Sequence, residues 1–187
     1  MVTDYLRWLE RTGVFGALTA WADLLAGLDG PTSASGHRPT EALADAEPGR
    51  IVVMADERIT TGLADTAAAL GVTLNAVVTT AVAVVTGYHA GTTDTVVGTT
   101  VAGRPGELAG IDETIGLFLN TVPVRADLSP AKTLADVIGA IAEQRLTMMA
   151  HDHLGLGQIQ RAAGDSGAAL FDSLVVLQNF LGEGTFA

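Results

Sequence analysis

Between Thr95 and Val101 the chain reads Thr-Val-Val-Gly-Thr-Thr-Val, β-branched at every position except Gly98. Two heavy atoms on Cβ crowd a helical turn and pack well on a pleated strand. No charge interrupts the run, so the strand it predicts is covered on both faces. Such a strand belongs in the middle of a layered sheet with helices above and below.

Helical spacing supplies the covering layers. Tyr5, Trp8 and Leu9 share one face, and after Gly13 the residues Phe15, Leu18, Trp21, Ala22 and Leu25 continue it until Gly27, Gly30 and Pro31 stop the helix. The two tryptophans are expected to pack these helices onto the sheet. Residues 31–49 lack periodicity and read as a surface loop, with His37 solvated inside it. Arg50 to Ala55 reads as a strand. Asp56 caps a helix with Ile59, Leu63, Ala67 and Leu70 on its inner face, and Gly71 ends it. Thr73 then caps a second helix whose Val77, Val78, Ala81, Val82, Val84 and Val85 leave almost no polar face, so cover on most sides is expected.

Gly87 to Gly91 and Gly103 to Gly106 read as turns. The first lacks the lysine and the second the strand-to-helix step of a phosphate-cradling loop. Further on, Thr133 and Asp136 open a helix with Leu134, Val137, Ile138, Ile141 and Met149 on one side. A shorter helix around Leu156 to Ala163 and a strand over Phe171 to Phe180 close the chain. The order of elements gives an α/β fold of α+β layered type, a mixed sheet covered by helices, and 187 residues suit one domain or one lobe of a larger one.

The stretch Ile115-Gly116-Leu117-Phe118-Leu119-Asn120-Thr121-Val122-Pro123-Val124-Arg125 departs from pure packing. A buried amide without a partner costs about 1–3 kcal/mol, so Asn120 must meet a bonding group, a cavity or water. Pro123 cannot donate to a ladder and places this strand at an edge, a bulge or a rim. Gly116 permits close approach of another group.

Composition excludes several functions. A net charge of -11 and a pI near 4.5 disfavour nucleic acid and anionic membrane. With no cysteine there are no disulfides or thiolate sites, which fits a reducing, cytoplasmic setting. His151 and His153 have no third ligand near them, so no metal is expected. The uncharged stretch from Thr66 to Thr93 reads as core helices rather than a membrane span. A hydrophobic fraction of 48%, a mean hydropathy of +0.37 and only 17% charged residues suggest apolar surface kept for a partner.

Ile115, Gly116, Phe118, Asn120, Thr121 and Arg125 together resemble a signature of the condensation domains of nonribosomal peptide synthetases, roughly I/V-G-x-F-x-N-T-x-x-x-R. The resemblance extends to Tyr5-Leu6-Arg7-Trp8-Leu9, Trp21 and Leu24 to Gly27, to Val101-Ala102-Gly103-Arg104, to His151 onward, and to Phe171-Asp172-Ser173 through Asn179-Phe180. After His151, however, Asp152-His153-Leu154-Gly155 stands where the family often has Gln and later Pro-Phe.

The resemblance implies the C-terminal, chloramphenicol-acetyltransferase-like lobe of a two-lobed domain, with residues 1–30 as leading helices, 31–49 as a loop and 50–180 as the sheet-and-helix core. In such domains aminoacyl and peptidyl thioesters arrive on the phosphopantetheine arms of carrier domains and are joined as an amide. The family's H-H-x-x-x-D-G centre is absent here. The resemblance therefore implies a lobe incomplete at both ends, partnered by the N-terminal lobe and by carrier domains, inactive alone, and binding no cofactor itself. It implies Asn120, Phe118 and Gly116 along the substrate tunnel. Arg125 is structural or faces the other lobe, Arg104 follows the buried strand, and Arg50 is a candidate partner for the missing catalytic aspartate. Two alternatives stay open, a non-catalytic module that binds a carrier or partner lobe, and a lobe of the related epimerisation domain.

Overall fold

The computed structural model describes residues 2–35, 47, 49–111, 113–164 and 169–178. His37 and the Asn179-Phe180 end of the expected closing strand lie outside them, and of that expected strand only Leu174–Val175 forms among the described residues.

Helices α1 (Val2–Thr12) and α2 (Phe15–Leu25) lead, followed by α3 (Glu57–Leu70) and α4 (Leu74–Ala90). Strands β1 (Asp94–Val101) and β2 (Asn120–Asp127) come next, then α5 (Leu134–Met148), α6 (Leu156–Ala162) and the two-residue β3 (Leu174–Val175). The sheet order is β2-β1-β3, with β1 antiparallel to β2 and parallel to β3. The β-branched run is thus the central strand of a mixed sheet, and Thr95 through Thr99 are buried.

Successive residues of β1 feed opposite faces. Val97, paired with Val124, packs with Ala76, Val77 and Ala83 of α4 and Val137, Ile138 and Ile141 of α5. Val96 packs with Trp21 and Leu25 of α2, Leu154 and Ile159. Gly98 has no room for a side chain, because an added Cβ would lie 2.7 Å from Cζ of Phe171.

The capping signals hold. Asp56 accepts from the amide of Ile59, Gly71 takes the left-handed conformation at φ 65°, Thr73 caps α4, and Thr133 with Asp136 forms a full capping box. Pro123 lies on β2, an outer strand of the sheet, as its missing donor requires.

Other expectations are corrected. Gly87 to Ala90 is helix, not turn, and the glycine is needed because a Cβ there would lie 2.6 Å from Cγ2 of Thr95. Ala76, Thr80, Ala83 and Gly87 form a narrow stripe that brings α4 close to β1. It is therefore threonine hydroxyls that go inside, Thr80 bonding the carbonyl of Ala76 at 2.8 Å, while Val85 and Tyr88 face out. Cover on most sides of α4 is not found.

On α3 only Ala67 is fully buried, with Ile59 and Leu70 exposed, and on α5 Leu134 and Met149 give way to Met148. Thr32, expected in a surface loop, is buried, bridges to Phe171 and accepts the amide of Val96 on its hydroxyl at 2.8 Å. Its side chain completes the ladder where β3 is too short to reach. Residues 51–54 form no strand at all. Among the described residues no single helix is long and apolar enough to cross a membrane; α3 and α4 pass that test only as a pair bent by 109°.

Candidate functional site

Val101 at the end of β1 pairs with Asn120 at the start of β2, and the excursion between them is organised by Arg104. Its guanidinium donates to the carbonyls of Ile111 and Thr114, the latter at 3.2 Å, and lies 4.5 Å over the ring of Phe118. Phe118 is buried and meets Tyr5 edge-on at 5.0 Å. Gly103, at φ 59°, could not carry a Cβ without striking the carbonyl of Phe118, and a Cβ on Gly116 would come within 2.9 Å of the Phe118 ring. Arg104 is half-buried, and both of its terminal nitrogens donate within the loop.

The loop exposes a different set. Ile115 is 95% exposed, Leu117 88% and Leu119 64%, three apolar side chains in alternation beside the buried Phe118.

Asn120 is half-buried and its amide is occupied within the chain. Nδ2 donates to the carbonyls of Asp152 at 2.7 Å and Leu154 at 2.8 Å, and Oδ1 accepts from the amide of Thr121 at 2.9 Å. In this arrangement neither Asn120 N–H is left for a substrate. The same turn is tied down from other sides. Trp21 Nε1 donates to the carbonyl of His151 at 3.2 Å, and Arg145 forms a fork with the Asp152 carboxylate at 3.1 and 2.8 Å. Burial is the larger influence on Asp152 and holds its carboxyl above the usual range, against the pull of Arg145. His153 Nε2 lies 3.1 Å from the carbonyl of Gly13, so that nitrogen carries the proton and the ring takes the role of donor.

Arg125 is bonded within the chain. Nε and Nη2 grip Asp94 at 2.8 and 2.7 Å, and Nη1 donates to the carbonyls of Leu24 and Ala26 at the end of α2. The Asp94 partner, the convergence on the 151–154 turn and the Gln144 side chain against Arg125 escaped sequence reading. They join residues far apart in the chain and follow no local spacing.

A cleft of about 450 Å³ is lined by Trp8, Gly13, Glu107, His151 and His153 among others, and another of about 480 Å³ lies between α2 and α6. Neither includes Asn120, Phe118 or Gly116. Among the described residues no cluster of His, Cys, Asp and Glu could hold a metal ion.

A helix-covered mixed sheet whose edge strand begins with the Asn-Thr pair defines a chloramphenicol-acetyltransferase-like lobe of the condensation-domain kind. The family model of the condensation domain matches residues 3–187, and the chain belongs to that family. It is 30% identical to a linear gramicidin synthase of Brevibacillus parabrevis over 191 positions, covering 96% of this chain and 2% of the synthase. It is 46% identical over 90 residues to vanchrobactin synthetase VabF of Vibrio anguillarum, covering 48% of this chain and 3% of that protein.

Among solved structures, the X-domain from teicoplanin biosynthesis is similar with a TM-score of 0.70 at 24% identity, over 91% of this chain and 39% of that one. The first condensation domain of the calcium-dependent antibiotic synthetase, in complex with a substrate analogue, follows at 0.66 and 24%, over 87% and 37%. At that identity these two show the fold. The chain thus spans a few per cent of these curated relatives and under two-fifths of these solved domains.

Proposed function

We propose that this chain is the C-terminal lobe of a peptide-synthetase condensation domain and forms one wall of the tunnel in which two carrier-bound thioesters become an amide. The acceptor amine attacks the donor thioester carbonyl, the C–N bond forms, the C–S bond breaks, and the amine proton ends on the departing pantetheine sulfur. The family's His-His motif, on the N-terminal lobe, would orient that amine, so this chain supplies no catalytic residue and is inactive alone. Phosphopantetheine comes with the partner carrier domains.

One observation carries this reading. Asn120 stands at the first position of an edge strand, beside the exposed Ile115, Leu117 and Leu119, and locks the 151–154 turn next to it. Asn120, Phe118 and Gly116 shape the wall, with Asn120 acting as a positioning residue. Arg50 is exposed and makes no ion pair among the described residues, which suits a carboxylate on the N-terminal lobe.

The test is reconstitution with the N-terminal lobe and two loaded carrier proteins, with amide product followed by mass spectrometry. Wild-type chain should give product and Asn120→Ala much less, and equal rates would remove Asn120 from the tunnel wall. A second reading, a non-catalytic docking module, draws on the exposed apolar surface and on a fold relative, the X-domain, solved as a complex with OxyB. Saturable carrier binding without product in the reconstituted system supports it.

A further inference from the structure

Four rings from three separate parts of the chain lie in a row. Tyr5 and Trp8, one turn apart on α1, stack at 5.9 Å with their planes 19° apart. Tyr5 meets Phe118, in the loop between β1 and β2, edge-on at 5.0 Å, and Trp8 meets His153 edge-on at 5.4 Å. Both arrangements are ones that aromatic pairs favour. Among the described residues the Phe118 and His153 rings make no contact with each other, so the row that joins them runs through α1.

This helix is lightly held. None of its described side chains is fully buried, and none belongs to the cores on either face of the sheet. Tyr5, Trp8 and Leu9 are half-buried, and Leu6 is exposed. At Gly13, where α1 gives way to α2, φ is 67° and an added Cβ would meet nothing within 4 Å, so backbone freedom and not crowding calls for glycine. The cleft of about 450 Å³ is lined by Trp8, Thr12 and Gly13 from the α1 side and by Ala17, His151 and His153 from the body, which leaves α1 room to swing. His153 bonds the carbonyl of Gly13 through Nε2, but its Nδ1 is buried with no hydrogen-bond partner. Opening returns that nitrogen to water and offsets part of the lost ring contact.

We infer that Tyr5 and Trp8 are positioning residues and that α1 is a hinged strut. Docked, it locks the Phe118 loop to the 151–154 turn; undocked, it releases both together. The loop carries Gly116 and Phe118, and the turn is the one that Asn120 clamps. The bearing of the strut on amide formation rests on the reading of those residues as tunnel wall, whereas the coupling of loop to turn does not.

The experiment is amide hydrogen exchange on the 187-residue chain and its variants. The amides of Ile111 and Thr114, bonded to the carbonyls of Leu108 and Ile111, report on the loop. Those of Asp152 and Leu154, bonded to the carbonyls of Met149 and His151, report on the turn. Trp8→Ala should speed all four by about tenfold, although its ring contacts are with Tyr5 and His153. Tyr5→Leu should likewise speed the turn as well as the loop. Trp8→Phe, which keeps a ring, should stay within about twofold of wild type, as should Leu6→Ala on the exposed side of α1. Gly13→Ala, strained at its φ, should speed the same four amides by about fivefold. Amides of β1 should keep their wild-type rates throughout, which shows that every variant folds.

Acceleration confined to the end that each ring touches overturns the strut, as does acceleration that spreads to β1, no acceleration in Trp8→Ala, or failure of Trp8→Phe to restore the slow rates. Beside the exchange runs amide formation in the reconstituted domain. Coupled exchange with a wild-type amide rate in Trp8→Ala supports the strut and takes Phe118 off the tunnel wall. Uncoupled exchange alongside an impaired Asn120→Ala domain overturns the strut and leaves the function standing.

Discussion

The side chain of Asn120 reaches across thirty-four residues of sequence to donate to the carbonyl of Leu154 at 2.8 Å. Its other N–H takes the carbonyl of Asp152, so a single amide ties the start of β2 to both ends of a tight turn. The Asn of the family-like run is therefore first of all a clamp, and what it clamps bears His151 and His153.

Replacing Asn120 by Ala strands the carbonyls of the half-buried Asp152 and the buried Leu154 and should cost about 1–3 kcal/mol of stability. Asn120→Asp should cost at least as much, because it keeps the acceptor for Thr121 and sets a carboxylate against two carbonyls. Urea unfolding of both variants checks the order. An aspartate variant as stable as wild type would show that the clamp is not held by donation.

Arg125 binds Asp94 with two nitrogens and the end of α2 with the third. Lysine can reproduce the charge but not the fork, so Arg125→Lys should lose about 1–2 kcal/mol. A double-mutant cycle with Asp94→Asn should return a coupling of about 1 kcal/mol that weakens little in salt, the pair being three-quarters shielded on the arginine side. Zero coupling would transfer the role to the α2 carbonyls.

Elements with local signals were legible in the sequence. Asp56, Gly71, Thr73 and the Thr133–Asp136 box announce helix ends by side-chain chemistry within four residues, and Thr95 to Val101 announces a central strand by its branching. The segment 50–55 carried an equally plain strand signal, but a strand needs a neighbour, and no neighbour for it is found among the described residues. At the site, the Asn-Thr pair and Pro123 pointed to an edge. That Asn120 would spend both N–H groups on the 151–154 turn could not be read, because tertiary hydrogen bonds leave no periodicity.

Asp172 titrates in an unusual setting. Burial acts to raise its pKa, but donation from the amides of Ala34 and Ser35 and the hydroxyls of Ser33 and Ser173 outweighs it and brings the carboxyl down to about 2. A folded value below the unfolded value of about 3.9 means that the stabilisation is full above about pH 4 and is lost as pH falls toward 2. Because Asp172 is exposed, the loss should stay under about 1 kcal/mol. Carboxyl NMR should find its midpoint near 2, and Asp172→Asn should flatten the stability profile across that window. A midpoint near 4 would mean that these donors do not hold the ionised form.

Arg104 controls a loop rather than the whole lobe, and this separates two observables. Its partners, the carbonyls of Ile111 and Thr114 and the face of Phe118, all lie within the excursion between β1 and β2. Arg104→Met keeps much of the stem packing and loses every donor, which releases those carbonyls and the ring together. Limited proteolysis between residues 105 and 119 should then accelerate about tenfold, corresponding to about 1.4 kcal/mol of local stability. Amides of β1 and α4, anchored by cores that Arg104 does not touch, should keep their protection. Arg104→Lys should resemble the methionine variant, since one ammonium cannot bond both carbonyls and cover Phe118 at once. Should lysine restore wild-type cleavage, charge alone would hold the loop and the forked geometry would be incidental.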